Sequence, residues 1–153
     1  RDRGGGGQGG RGDGVHQPPP LPPLTGPERL PGDPPSPFEE RFGFSRMLRV
    51  GQFVLVGGTT SVRPSGAICG ETPYEQAVEI FSKILHELER VGLGAADVVQ
   101  NRVYVTDISR SEEVGRAHGE IFAEHRPLMT MIEVSGLIDP RMLVEIETVA
   151  FAG

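Results

Sequence analysis

The chain has a single cysteine, Cys69, and no apolar run approaching the eighteen or so residues of a membrane span. One thiol excludes an internal disulfide and is compatible with a reducing cytoplasm, the expected location. The lack of long apolar runs leaves no candidate for a membrane helix, so no membrane partner is expected, and no apolar signal-peptide stretch opens the sequence. Basic residues are outnumbered, 15 Lys and Arg against 21 Asp and Glu, for a formal net charge of -6. Phosphate contacts need clustered Lys and Arg, so no nucleic-acid partner is expected either. No His/Cys spacing suggests a metal site, and no cofactor is implied. Cys69 lies in a glycine-flanked loop with no local cue for a lowered pKa and reads as an incidental thiol.

What is present divides in two. The 153 residues suggest one domain, and 37% hydrophobic residues suit a globular core. Residues 1–37 hold ten of the 14 prolines and ten of the 22 glycines. So little apolar surface cannot offset the entropy of ordering, and the segment reads as a disordered tail. Its Arg/Gly run, its "PPPLPPL" and its "RGD" are matches that low-complexity sequence produces freely, and they read as functionally silent. The folded domain is expected over 38–153.

Within that domain "SRMLRV" and "QFVLVGG" are strand-like runs meeting at Gly51, a hairpin signal. Thr72, Pro73 and Glu75 form a helix start with a capping box. Ala77, Phe81, Ile84, Leu88 and Val91 then recur at three- and four-residue steps, one apolar stripe ended by Gly92 and Gly94. "DVVQNRVYVTD" alternates, with Val99, Asn101, Val103 and Val105 on one side. Ser109 with Glu112 predicts a second capped helix carrying Val114, Ala117, Ile121 and Phe122, closed by Pro127. His118 follows that stripe and reads as a surface or packing residue rather than a base. Strands over about 128–135 and 143–150 finish the order β-β-α-β-α-β-β, an α+β domain with two helices for one sheet face.

Glutamates interrupt both closing strands. The β-branched Thr130, Ile132 and Val134 suit the buried face, opposite Met129, Met131 and Glu133; Val144 and Ile146 oppose Leu143, Glu145, Glu147 and Val149. The second face is thus too apolar for plain solvent and too charged for a dry core, as at a subunit interface or a wet cleft.

The stretches "FSRMLRVGQFVLVGG", "VVQNRVYVTDI" and "RPLMTMIEVSGL…LVEIE" resemble the RidA/YjgF family over about residues 42–151, nearly all of the expected folded domain. The family comprises small trimeric proteins that include 2-imino-acid (enamine/imine) deaminases. The resemblance implies a chorismate-mutase-like α+β fold, a homotrimer around a central axis, and a small-molecule cleft between neighbouring subunits. The family's active deaminases clamp the substrate carboxylate with an arginine two residues after the proline of this strand. That position is Met129, and a thioether replaces neither of the arginine's paired hydrogen bonds. A site tyrosine of the family falls at Phe44, and the glutamate that positions water corresponds to Glu145. Glu145 is therefore the candidate catalytic residue, with Phe44, Arg102, Arg126, Met129 and Met131 as candidate substrate-binding residues. Strand parity puts Arg102 on the face of Met129, so Arg102 or Arg126 could supply a displaced cation. Two functions remain open: a small-molecule-binding trimer with weak or no deaminase activity, and a hydrolase of a different imine or enamine in which Glu145 orients water.

Overall fold

The computed structural model describes residues 26–153. The Arg/Gly, polyproline and RGD motifs lie outside these residues. Among the described residues no helix is long and apolar enough to cross a membrane.

The elements in chain order are β1 (Glu28–Leu30), α1 (Pro37–Phe42), β2 (Met47–Val50), β3 (Phe53–Thr59), α2 (Pro73–Glu89), β4 (Val98–Val105), α3 (Ser111–Phe122), β5 (Leu128–Glu133) and β6 (Val144–Phe151). They build one six-stranded sheet in the order β1-β2-β3-β6-β4-β5. Only β4 and β5 run parallel, joined by α3 as crossover; every other neighbour is antiparallel. The core lies between one sheet face and the helices: Val54, Val56, Val103, Val105, Val144 and Ile146 meet Ala77, Ile80, Phe81, Ile84, Leu88, Val114 and Phe122.

Ala77, Phe81, Ile84 and Leu88 of the expected stripe are buried on α2, Val91 lies partly buried just beyond its end, and Thr72 caps the helix by accepting from Glu75 N at 3.1 Å. The capping box does not close, because the Glu75 carboxylate accepts from Glu71 N instead. The expected Ser109 cap gives way to Asp107, which accepts from Ser109 N ahead of a single 3-10 turn, Ile108–Arg110. His118 packs edge-on to Phe81 and beside Phe122, and its Nε2 lies 3.0 Å from Asn101 Nδ2. Asn101 Oδ1 accepts from the Thr148 hydroxyl at 2.7 Å, so two polar groups buried on the helix side of the sheet satisfy each other.

Three expectations need correction. The tail boundary at 37 is too late: β1 pairs with β2, and the following turn is held by the buried Glu39 carboxylate, which accepts from Gly32 N and Ser36 N. Pairing partners and a capping box, rather than apolar surface, order this proline-rich stretch. On β4, Val98 is buried and Val99 exposed, since a register shift between Val98 and Gln100 flips the parity at the strand's start. On β5 the faces are inverted. Parallel pairing sets Met129 beside Asn101 and Met131 beside Val103, so the methionines face the helices. Ile132, beside Tyr104, is 47% exposed on the open face. Register with the neighbouring strand outweighs the preference of β-branched residues for burial.

Candidate functional site

Leu48, Val50, Phe53, Leu55 and Phe151 make one end of the open sheet face apolar, with Phe53 and Phe151 packed edge to face. The other end is polar. Glu145 lies opposite Tyr104, and Glu147 opposite Arg102, across the β6–β4 ladder. The Tyr104 hydroxyl donates to Glu147, which holds the phenol pKa above its usual value. A cleft of about 360 Å³ opens here, with Ser45, Arg46, Gly57, Gln100, Arg102 and Glu147 among its walls.

Glu145 sits beside Gly58, where any Cβ would collide with its Oε1. Partial burial pushes its carboxyl pKa up; Arg46 opposes that shift and Glu147 adds to it. The Arg46 guanidinium reaches the same place, donating from Nη2 to Gly58 O at 2.5 Å. With no Cβ at either position, the glycine pair at the end of β3 leaves room for both the carboxylate and the cation.

A second cleft, about 530 Å³, runs between α3 and β5 on the helix side, lined by Ser111, Glu112, Glu113, Gly115, Arg116, Met129 and Met131. Met129 and Met131 thus line one cleft, on the helix side of the sheet. Arg102 does not share their face, contrary to the parity reading, because the β4–β5 register places it beside Thr130. Arg126 is exposed, and its Nε donates to Ala123 O at 3.4 Å, at the end of α3 rather than in a cleft. Phe44 is 44% exposed, just after the α1 turn. Within one chain Glu145 and Met129 lie on opposite faces of the sheet. Arg46 and Arg116, which line the two clefts, were not singled out from sequence. A cation directly ahead of an apolar strand, and a Gly-Gly pair ending the next, were the available signals.

A mixed sheet with two helices on one face is an α+β architecture shared with several solved structures. One is Rv2704 of Mycobacterium tuberculosis, described as a member of the YjgF/YER057c/UK114 family. It is 39% identical, with a TM-score of 0.73 over 82% of this chain and 99% of that one. A yeast structure, YEO7, superposes with a TM-score of 0.75 at 18% identity, a likeness of fold alone. In sequence, the uncharacterised protein SCO2049 of Streptomyces coelicolor is 38% identical over 118 residues, 77% of this chain and 88% of the relative. Residues 37–152 match the family model described as Endoribonuclease L-PSP. The chain belongs to this family, the RidA/YjgF family, and has its chorismate-mutase-like fold.

Proposed function

We propose that the protein is a homotrimer that binds small molecules in clefts between subunits and hydrolyses simple 2-imino acids weakly or not at all. The observation that carries this reading is the separation of Glu145 from the Met129 cleft: residues of one ligand site, placed on opposite faces of one chain, can meet only across two copies. Exposed Phe53, Leu55, Ile132 and Phe151 supply apolar surface for such an association. Met129 supports the second half, since a thioether cannot clamp a carboxylate. Light scattering that finds a monomer at micromolar concentration refutes the trimer. For activity, semicarbazide competition against freshly generated imine compares the natural protein with Met129→Arg, alone and with Phe44→Tyr. A gain of about tenfold or more in kcat/KM is expected, equivalent to one well-placed charged contact, and Glu145→Gln in the same background abolishes it. Robust activity in the natural protein overturns the Met129 argument.

A second reading, hydrolysis of a different imine or enamine, is favoured by Glu145 itself. A desolvated carboxyl with a raised pKa is better placed to move a proton near neutral pH than an exposed one. A screen for ammonia release with uncharged enamines separates the two. A ribonuclease reading gains little from a chain of net charge -6.

A further inference from the structure

We propose that the hydrogen bond between His118 and Asn101 is a proton-operated latch on the α3 wall of the Met129 cleft. With His118 neutral the latch ties α3 to the sheet; protonation opens it and loosens that wall. The latch stands on its own geometry, and only its consequence for a ligand rests on reading the cleft as half of the ligand site.

The donors and acceptors run in one direction along Thr148, Asn101 and His118. Asn101 Oδ1 accepts from the Thr148 hydroxyl at 2.7 Å, which leaves Nδ2 facing the ring, 3.0 Å from His118 Nε2. An amide nitrogen only donates, so Nε2 accepts and His118 carries its proton on Nδ1. Protonation puts an N–H on Nε2 as well, and donor then faces donor. Turning the amide over is costly. Thr148, only 1% exposed, would accept from Nδ2, and its own proton would lose its acceptor. The ring is the half-buried member of the three and can swing to water.

No carboxylate faces the ring to hold a positive charge there. α2 presents Phe81 at 5.7 Å and α3 presents Phe122 at 4.7 Å, both buried. β4 presents Asn101, and β5 beside it presents Met129 and Met131. The charged residues two positions away on α3, Arg116 and Glu120, are engaged with Tyr74 of α2. Arg116 lies over its ring at 3.9 Å, and Glu120 accepts from its hydroxyl at 2.8 Å. Burial alone lowers the His118 pKa. The neutral form is thus favoured by the fold: the latch is closed above the unfolded value of 6.5 and is lost as pH falls through the folded pKa.

The latch sits at the cleft. Asn101 is the register partner of Met129, and His118 lies one turn beyond Gly115 on α3. Met129, Met131, Gly115 and Arg116 are among the walls of the 530 Å³ cleft between those elements. Among the described residues this is the one hydrogen bond between α3 and the sheet; Val114, Ala117 and Phe122 hold the helix by apolar packing.

The test is amide hydrogen exchange of the full-length protein at pH 7.5 and at about pH 5, corrected for intrinsic rates, with NMR of the histidine ring nitrogens. At pH 7.5 His118 should carry its proton on Nδ1. Protection of the α3 amides should fall about two- to tenfold towards the lower pH, the range for one hydrogen bond, while α2 stays constant. His118→Gln keeps an acceptor facing Asn101 and cannot titrate, so its α3 protection should be the same at both pH values. His86→Gln should behave as the natural protein does. An Nε2–H tautomer at pH 7.5, α3 protection that ignores pH, or the same loss in His118→Gln overturns the proposal and leaves His118 a packing residue. If His118→Gln does not fold, the tautomer and the match between α3 protection and the titration of the His118 ring still decide. Light scattering on the same samples separates the latch from the trimer reading. A monomer whose α3 loosens as His118 titrates refutes the inter-subunit cleft alone. A trimer whose α3 protection ignores pH refutes the latch alone.

Discussion

Asn101 on β4 accepts one hydrogen bond within the sheet, from Thr148 on β6, and makes a second to His118 on α3, and a double-mutant cycle measures what the first is worth. Thr148→Val removes the donor to Asn101 Oδ1 and strands a carbonyl in a fully buried residue. An unsatisfied buried group costs about 1–3 kcal/mol. Asn101→Leu strands the Thr148 hydroxyl, in a residue only 1% exposed, at the same cost. It also removes the partner of His118, but that ring is only half-buried and can turn to water, so the added loss is small. In the double variant two apolar side chains of similar shape face each other and nothing is stranded. Its stability should return to within about 1 kcal/mol of the natural protein, whereas additive losses would total about 2–6 kcal/mol. Each single variant should lower Tm by about 2–12 °C for a chain of this length. Urea unfolding at fixed protein concentration and pH 7.5, where His118 is neutral because burial lowers its pKa, gives the four stabilities. A double variant that loses the sum of the singles refutes the pairing.

Leu88 is fully buried in the α2 stripe, so Leu88→Ala should cost about 2–5 kcal/mol, while Glu89→Ala on the exposed side should cost about half a kcal/mol or less; similar costs in thermal melts would mean the stripe is misassigned. A chain starting at residue 37 should melt below one starting at residue 26, because it loses β1 and the Pro31 carbonyl that accepts from Arg90; equal melting would show that this strap adds nothing. Glu145→Gln tests the raised carboxyl pKa. The protonated form is favoured by the fold, so its contribution is complete below the unfolded value of 4.5 and is lost as pH rises through the folded pKa. Glu145→Gln should therefore be the more stable protein at pH 7, with an advantage that fades towards pH 4. A variant less stable at pH 7 would show that attraction to Arg46 outweighs desolvation.

Half of the candidate site was readable from the chain and half was not. Glu145 and Glu147 stood out because carboxylates break an apolar alternation, which is a local pattern. Arg46 did not, since a single arginine ahead of a strand reads as a solvated charge until the fold sets Gly57 and Gly58 beneath it and Glu145 alongside. The ordering of residues 26–36 was hidden for a similar reason. Their composition argues against a core, and their order comes from partners on β2 and α2 instead.

The helices belong to the sequence. A 3.6-residue stripe and a capping threonine are properties of neighbouring residues, so α2 and its buried side follow from the chain alone. The hairpin at Gly51 does too, because a left-handed turn between two short apolar runs is local chemistry. Which way β5 faces belongs to the tertiary structure. A strand's alternation defines two faces without saying which is buried, and a shift of one residue exchanges them. Parallel pairing with β4 made that choice, turning Met129 and Met131 toward α3 and Ile132 outward, and the register shift at Val98 did the same for the start of β4. Those two pairings, set by residues far apart in the chain, put Met129 and Arg102 on opposite faces of the sheet.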